Sequence, residues 1–371
     1  MKNRVKEPEI IKLWKKILPA AAAAAVLACG TSAFAVSDVH ATIYSRPVFV
    51  EGQQVWCWNP QGQQTDYLSY NGTTYIPIRT AGEWMGKNVA WDEATKTITL
   101  SGTAQKVYHG QTDSAVDSDT WNNLLAQGMT VRLRDDITVI VDGAVQDFKN
   151  VKGESVYPIN YNDMNYLPVR NIGELLDMTV TYVPDTADTR SAIFLRTALT
   201  DQQIAQGKTY IQTLRNASSF SALDAAGAAL PDYLRNQRSL DVSGVTGNPN
   251  SVDTEDNIFN LMLRFDDGVD PSLDDIQQYA KLGETAMQTL IDTPKPDVPV
   301  LDYYYNKMVA EAKTALSACR AVSQAVTDGQ DQAACMRMML QSTLDNMCVA
   351  DLCSAVSADI NYMELVLLEQ Y

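Results

Sequence analysis

The spacing of apolar and polar residues along the chain changes near residue 198. Before that point, stretches such as residues 74–76 (Thr-Tyr-Ile) and 129–134 (Met-Thr-Val-Arg-Leu-Arg) are β-branched and aromatic or alternate in polarity, which is typical of strands. After it, alanine, glutamine and leucine become more frequent, and the apolar positions follow helical spacing. The pattern predicts an α+β chain in which two small β-rich segments precede an all-α helical bundle.

The β-rich part contains an internal repeat at an offset of 91 residues. Tyr-Ile-Pro-Ile-Arg at 75–79 recurs as Tyr-Leu-Pro-Val-Arg at 166–170, and the Gly-Glu dipeptide at 82–83 recurs at 173–174. An offset that holds without a gap over more than 40 residues indicates an internal repeat. The predicted organisation is a leader at 1–35, a first copy at 40–100, a connector at 101–136, a second copy at 137–197 and a helical domain at 198–371.

The first copy carries the local signals of a strand–helix–strand unit. Asn71 and Gly72 tolerate the positive φ that a two-residue hairpin turn requires. Pro77 ends strand pairing and suits the start of a short helix, and Gly86 suits a left-handed cap at its end. The second copy departs from this pattern after Tyr182, where six further residues lengthen the last hairpin.

Each predicted short helix holds an arginine and a glutamate four residues apart. An i,i+4 pair of opposite charges is a normal helix-surface contact, so one interpretation is an ion pair that fixes how the helix leaves the strand. The alternative is a site for an anion or a carboxylate. The residues concerned are Arg79 with Glu83 and Arg170 with Glu174.

The repeated pattern resembles the copper amine oxidase N-terminal-like domain, also called the stalk domain. The resemblance covers residues 48–100 and 139–195, and its most specific part is a Pro-x-Arg-x-x-x-Glu core. It implies a non-catalytic stalk-type module that is common on bacterial surface proteins, with that core as a structural motif. The motif residues are Pro77, Arg79 and Glu83 in the first copy and Pro168, Arg170 and Glu174 in the second.

The family name raises the question of copper, which amine oxidases of that name hold with three histidines. After the leader the chain has only His40 and His109, and imidazole ligands are what copper(II) sites demand. Residues 160–162 (Asn-Tyr-Asn) lack the acidic third residue that accompanies the quinone-forming tyrosine of those oxidases. Nucleophile-elbow, phosphate-loop and zinc-protease motifs are absent from the sequence. We therefore expect no cofactor, no metal and no enzymatic activity.

The first 35 residues have the features of a secretory signal peptide. Basic residues precede an apolar run at 17–29, and residues 33–35 (Ala-Phe-Ala) form a small-x-small cleavage site. Acylation of Cys29 as a lipoprotein is the alternative. The run is short for a transmembrane span, so the mature chain is expected to lack one and to be extracellular or in the cell envelope.

The charge of the chain excludes one class of partner. Removing residues 1–35 takes six Lys/Arg and two Asp/Glu from totals of 29 and 45, which leaves 23 bases and 43 acids. Such a surface repels nucleic acid. The partners that we expect are cell-wall glycan or another envelope protein.

The helical domain has recognisable helix signals. Thr200 and Gln203 have the spacing of a capping box, and a stripe of apolar and small residues predicts a helix over 302–326. After the turn at 328–329 a final helix is expected, and the composition break predicts that 198–371 folds independently. The apolar side of that last helix would carry Met336, Leu340, Leu344 and Met347.

Five cysteines follow the leader. Cys57 aligns with Phe148, so we interpret it as a buried thiol. Export permits disulfides among the four cysteines of the helical domain; free thiols are the alternative, and the spacing matches no zinc motif. The possible disulfide residues are Cys319, Cys335, Cys348 and Cys353, and the first two could pair across the helical hairpin.

Trp56 and Trp58 are the candidate binding residues. They align with charged residues of the second copy, and being two apart on a strand they share one face, so both are predicted to be exposed. Trp84 and Trp91 align with Leu175 and Tyr182 and are predicted to be core. The connector or the helical bundle could cover the exposed pair; the alternative cover is a sugar ring or a partner protein.

These observations favour an exported, cell-surface or cell-wall-associated binding or scaffold protein without catalysis. The alternative is an envelope enzyme that acts on cell-wall polysaccharide, with its site in the helical domain. Two carboxylates facing each other in a deep cleft of that domain would favour the enzyme. A third interpretation is a mechanical spacer that holds the bundle away from the membrane.

Overall fold

The computed structural model describes residues 36–59, 61–111, 118–187, 189–227, 258 and 271–371, so the predicted leader with Cys29 lies outside it. The strands are β1 (Ser37–Tyr44), β2 (Val48–Val50), β3 (Gln53–Val55), β4 (Cys57–Trp58), β5 (Gln64–Thr65), β6 (Tyr67–Tyr70), β7 (Thr73–Pro77), β8 (Asn88–Asp92), β9 (Thr97–Ser101), β10 (Met129–Leu133), β11 (Thr138–Val141), β12 (Ala144–Val145), β13 (Ile159–Tyr161), β14 (Met164–Pro168), β15 (Thr179–Val183) and β16 (Ala192–Arg196). The helices are α1 (Ile78–Met85), α2 (Ser118–Gln127), α3 (Val169–Leu175), α4 (Asp201–Ala217), α5 (Phe220–Ala225), α6 (Leu273–Asp292), α7 (Asp302–Thr327), α8 (Gln332–Leu340) and α9 (Val349–Leu368). The predicted α+β class, with a β-rich first part and a helical second part, is confirmed.

The tight turns follow the local sequence signals. Asn71 and Gly72 join β6 to β7 with φ of 48° and 71°, and Asn162 and Asp163 join β13 to β14 with φ of 47° and 59°. Gly and short polar side chains tolerate this left-handed region best. Gly86 ends α1 with φ 63°, as a left-handed cap does. Equivalent positions of the two copies therefore form the same turn.

The strands of the two copies are shared among common sheets. A closed barrel has the order β1-β10-β13-β14-β7-β6, in which β13 and β14 of the second copy lie between the connector strand β10 and strand β7 of the first copy. The β2–β3 hairpin of the first copy pairs with β16 of the second, and the β11–β12 hairpin of the second pairs with β9 of the first. Strand β10 of the connector pairs with β13, as its alternating sequence predicts. The two copies therefore form one interlocked β-rich body.

The register relates the copies by an approximate two-fold axis. Leu167 lies opposite Ile76 in the pairing of β14 with β7, and these residues are separated by the repeat offset. In the β1–β10 pairing, Val39 lies opposite Val131 and His40 opposite Thr130. Adding the offset to 39 and 40 gives 130 and 131, so the same axis exchanges these two pairs.

The Gly-Glu dipeptide of each copy has a packing reason. A Cβ on Gly82 would lie 2.5 Å from Val89 Cγ2, and one on Gly173 would lie 2.2 Å from Val180 Cγ2. Both distances are shorter than any normal carbon–carbon contact. Each short helix therefore needs glycine at this position to sit against the returning strand.

The sheet that contains β2 and β16 is covered on both faces. Val50 and Leu195 belong to the core shared with the barrel, whereas Phe49 and Phe194 belong to the core of the helical part. The two phenyl rings stack with centroids 4.9 Å apart and planes 8° apart. This two-sided burial explains why residues 192–195 (Ala-Ile-Phe-Leu) are uniformly apolar.

The helical part is joined to this sheet by a continuous apolar core. The Arg196 guanidinium lies 2.8 Å from the Glu369 carboxylate and donates a hydrogen bond of 2.9 Å to the Leu367 carbonyl. A Cβ on Gly52 would lie 2.0 Å from the Val300 carbonyl oxygen, which shows how closely the two parts approach. The composition break near residue 198 does not separate two cores, and the expectation of independent folding is not supported.

The predicted helix signals are only partly realised. Thr200 and Gln203 form the predicted capping box at the start of α4, and α7 spans the predicted stripe. The single last helix is wrong, because the chain leaves helical geometry between α8 and α9 and Leu344 is fully exposed there. At this break the Asp351 carboxylate accepts hydrogen bonds from Ser342 and from the Cys348 N–H. None of the helices in the described ranges is long and apolar enough to cross a membrane.

The five described cysteines are free and buried. The buried position of Cys57 is therefore confirmed, and burial raises the pKa of its thiol. The possible disulfides of Cys319, Cys335, Cys348 and Cys353 are not formed. Cys319 on α7 and Cys335 on α8 do flank the turn at 328–329, as the predicted pairing across a hairpin requires, but both thiols are free.

Candidate ligand-binding cleft

Trp58 lies on the two-residue strand β4, which pairs with β5. Its neighbour Cys57 is fully buried, so Trp58 points away from the core and is half-buried. The Trp58 indole packs on the imidazole of His109 in the connector, with ring centroids 4.7 Å apart. The backbone N–H of Trp58 donates to Thr80 Oγ1 at 3.2 Å. The connector thus covers one side of this indole, whose ring nitrogen is also buried.

Trp56 and Trp58 were predicted to be exposed side by side, and both are half-buried instead. Trp58 lines a cleft, whereas Trp56 is not among the residues that line it. Trp56 is half-buried, and its backbone N–H donates to the His109 carbonyl at 3.0 Å. Trp58 is therefore the member of the pair that lines the cleft, and a shared binding role for the two indoles stays a prediction.

The cleft has a volume of about 560 Å³, within the range of small-molecule pockets. It lies where the start of α1 meets the β8–β9 hairpin and the barrel strands β10, β13 and β14. Two indoles and a few apolar side chains form its apolar surface. These residues are Trp58, Trp91, Pro77, Ile78 and Met164.

Trp91 was predicted to be core, and this is wrong: 42% of it is exposed. Strand β8 is the edge strand of its sheet, and all five of its residues are exposed. Its indole N–H donates to Glu93 Oε2 at 2.9 Å, which holds the ring at the cleft. Trp84 is fully buried, as predicted. Tyr182, the counterpart of Trp91, is likewise exposed at 55%.

Four cationic side chains line the same cleft, and three of them are paired with carboxylates. Lys96 pairs with Glu93, and the hydrogen bonds from Lys96 and Trp91 lower the pKa of that carboxyl. Arg134 donates two hydrogen bonds of 2.6 and 2.8 Å to Asp136, which lower the pKa of that carboxyl. The lining cations are Arg79, Lys96, Arg132 and Arg134, and the lining acids are Glu93 and Asp163.

Arg132 differs from the other three cations. Its side chain is exposed, and it makes no ion pair with any residue in the described part of the chain. On β10 it lies opposite Asn160 of β13, and Asn160 lies opposite Asn165 of β14. The Asn160 amide donates to Asn165 Oδ1 at 3.0 Å. The register therefore places an arginine and two amides in a row along one wall of the cleft.

The arginine–glutamate motif has different surroundings in the two copies. Arg79 pairs with Glu83 at 3.1 Å, as the ion-pair interpretation predicts, and Glu83 also meets His109 Nε2 at 3.1 Å. This places the motif behind the Trp58–His109 stack. In the second copy no ion pair joins Arg170 to Glu174, although both residues are described. There Glu174 accepts from the Asn171 amide at 3.0 Å instead.

Copper, which the family name implies, does not fit the residues that are present. His109 contacts Glu83 and Trp58, whereas His40 is exposed on β1 beside Gly128. Within the described ranges no group of three histidine, cysteine, aspartate or glutamate residues is placed to hold a metal. A copper(II) site needs several convergent donors, and neither histidine has them.

The helical part contains the other notable group of charges. Asp359 on α9 is fully buried and accepts a hydrogen bond of 2.8 Å from Lys307 on α7, which also pairs with Glu311 at 3.2 Å. Burial, assisted by Glu311, raises the pKa of Asp359 to about 7. The two carboxylates are close, but they lie in the packing of α7 against α9. A carboxylate without exposure cannot reach a polysaccharide.

Comparison with known proteins agrees with the architecture of the first copy. Its strand–strand–helix–strand order, with proline before the helix and the Arg79–Glu83 pair within it, defines a stalk-type module. Residues 39–140 match the family described as copper amine oxidase N-terminal domain, which confirms the resemblance over that range. The match ends at residue 140, near the start of the second copy, so the two-repeat interpretation rests on the sequence offset and the strand register. No curated protein and no solved structure matches the chain.

Proposed function

We propose that this is an exported, cell-surface or cell-wall-associated binding protein without catalytic activity, and that the Trp58–Trp91 cleft is its ligand site. Export is supported by the basic-then-apolar leader and the Ala-Phe-Ala cleavage site at 33–35. The matched stalk-type domain supports a binding or scaffold role. The proposed partner is a cell-wall glycan, and docking of another envelope protein is the competing outcome.

One observation carries this proposal: two indoles line a cleft that also presents hydrogen-bonding side chains. Flat aromatic faces stack against the C–H faces of sugar rings, and adjacent polar groups fix the hydroxyls. Trp91 stays 42% exposed although its N–H is already bonded to Glu93. A large aromatic ring held at the surface in a fixed orientation is prepared for a partner.

The enzyme alternative has less support. It requires two facing carboxylates in a cleft of the helical part, and the close pair there is Asp359 with Glu311. Asp359 has no exposure and its carboxylate is held by Lys307, so the pair serves helix packing. We therefore place the ligand site in the β-rich part.

The test is a titration of solubilised cell-wall glycan that follows tryptophan fluorescence. The native protein is expected to bind, and Trp58→Ala and Trp91→Ala are each expected to weaken binding at least about fivefold, since stacking on an aromatic ring contributes about 1–3 kcal/mol. Tyr182→Ala is the matched control, because it removes the equivalent exposed ring from the second copy. Binding that is equal in all four proteins, or that is lost only in the control, would contradict the assignment of the cleft.

A further inference from the structure

We propose that the cleft selects an anionic saccharide, one that carries a carboxylate or a phosphate on the sugar, and that Arg132 binds the charged group. This inference rests on the proposed function, because it names the class of ligand for the same site. Three observations carry it: the charges of the lining, an arginine without an ion pair among the described residues, and the row of amides beside it.

The residues that line the cleft include more bases than acids, whereas the whole chain contains more acids than bases. The whole sequence has 45 acids and 29 bases, so an arbitrary patch of its surface contains more acids than bases. The cleft is lined by four bases and two acids. Three of these bases are paired with the carboxylates of Glu83, Glu93 and Asp136, so Arg132 is the lining cation that can meet a negatively charged ligand.

The four cations differ in whether a carboxylate already pairs with them, and this difference identifies the residue that would bind the anionic group of the ligand. Lys96 and Arg134 are paired with Glu93 and Asp136, so their charges are already balanced by carboxylates. Arg132 has an exposed side chain and no ion pair within the described residues. A planar guanidinium binds a carboxylate or a phosphate through two parallel hydrogen bonds.

The surroundings of Arg132 fit a sugar that carries such a group. Asn160 and Asn165 follow Arg132 across the barrel strands, and their amides present donors and acceptors of the kind that hydroxyls need. The indoles of Trp58 and Trp91 supply the apolar face. A volume of about 560 Å³ accommodates one or two sugar rings, not an extended polymer surface.

A long polyanion such as nucleic acid is the less favoured ligand. Its phosphates would extend beyond the cleft onto a surface that belongs to a chain with net charge −16. Affinity for nucleic acid depends on many simultaneous phosphate contacts. A single arginine available for binding, Arg132, in a small cleft suits a short saccharide that carries one anionic group.

The experiment compares ligands that differ only in charge. The full-length protein is titrated with digalacturonate and with its neutral methyl ester, and with glucose 6-phosphate and glucose, at low and at physiological ionic strength. Each anionic ligand is expected to bind at least tenfold more tightly than its neutral partner, because a hydrogen bond to a charged group contributes about 1.5–3 kcal/mol. Added salt is expected to reduce that ratio.

Variants assign the effect to Arg132. Arg132→Gln is expected to abolish the preference for the anion, measured as the ratio of the affinities for the anionic and the neutral ligand in the same variant, whereas Arg132→Lys retains part of the preference. Lys106→Gln is the matched control, an exposed cation that does not line the cleft. Equal binding of acid and ester, or a preference that survives in Arg132→Gln, overturns this inference while the proposed function stands. Failure of every saccharide, including solubilised wall glycan, overturns both.

Discussion

The contact of Phe49 with Phe194 makes a sharp prediction about how the two parts of the chain depend on each other. Phe49 is 1% exposed, stacks on Phe194 and lies 6.0 Å from the ring of Tyr371. Phe49→Ala should lower the free energy of unfolding by about 3–5 kcal/mol, the usual cost of removing a buried phenyl ring. Because the ring belongs to the helical core, the helices should lose stability although the substitution is in β2.

The distribution of tryptophans provides the assay. All six lie before residue 198, so tryptophan fluorescence reports the β-rich part, whereas far-UV circular dichroism is dominated by the helices. In urea, the two signals of the native protein should change together, since one continuous core unfolds as a unit. In Phe49→Ala both should move to lower urea, with the helical signal moving at least as far.

The internal repeat supplies a matched control. Thr99 pairs with Ile140 between β9 and β11 as Phe194 pairs with Phe49 between β16 and β2. Phe194→Ala should cost about as much as Phe49→Ala, whereas Thr99→Ala should change stability by no more than about 1 kcal/mol. A helical transition that does not move in Phe49→Ala would refute the shared core, and the helical part would then be an independent domain.

Three further predictions concern packing, ionisation and thiols. Gly173→Ala should lower the free energy of unfolding in urea by about 1–3 kcal/mol, because its Cβ would lie 2.2 Å from Val180 Cγ2. Gly110 has open space around it, so Gly110→Ala should leave that free energy unchanged. Equal effects of the two substitutions would contradict the packing argument. Burial raises the pKa of Asp359 to about 7, above its value in the unfolded chain. Between about pH 4 and 7 the folded state therefore binds this proton more tightly than the unfolded state does. The contribution of this group to the free energy of unfolding falls as the pH rises through that range. Asp359→Asn should flatten the pH dependence over that window and the exposed Asp345→Asn should not; an unchanged slope in Asp359→Asn would be inconsistent with a protonated Asp359. Burial raises the pKa of Cys319 to about 12 and that of Cys353 as well, so both thiols should resist alkylation in the native protein and react once it is unfolded; a disulfide-linked peptide containing either one would contradict the free thiols.

Much of the local structure could be predicted because it depends on neighbouring residues. The turn at Asn71 and Gly72, the helix start after Pro77 and the cap at Gly86 are properties of the backbone at single positions. Cys57 was placed in the core by its alignment with Phe148, and both are buried. Such signals need no knowledge of which strands pair.

The errors arose where the order of strands decides burial. Trp91 has the spacing of a core residue, but β8 is an edge strand, and that position depends on the pairing of β9 with β11 from the other copy. Similarly, residues 192–195 lack alternation, which indicates a strand covered on both faces. That pattern was the available signal that the helices pack on β16.

Only part of the cleft could be predicted from the sequence. Trp58 was identified from its charged counterpart, Lys149, but its cationic neighbours come from strands far along the chain. Arg132 and Arg134 alternate with Val131 and Leu133, so their outward direction could be predicted. Their meeting with Trp58 and Trp91 requires closure of the barrel, which sequence spacing does not encode.

The most direct test of the proposed ligand site is a two-dimensional ¹H–¹⁵N spectrum of the indole N–H groups during titration with solubilised wall glycan. Peaks are assigned by single Trp→Phe substitutions. Binding in the cleft should shift the Trp58 and Trp91 peaks, while the peak of the fully buried Trp84 stays in place. Saturable binding that leaves the Trp58 and Trp91 peaks unmoved would place the site elsewhere and contradict the account.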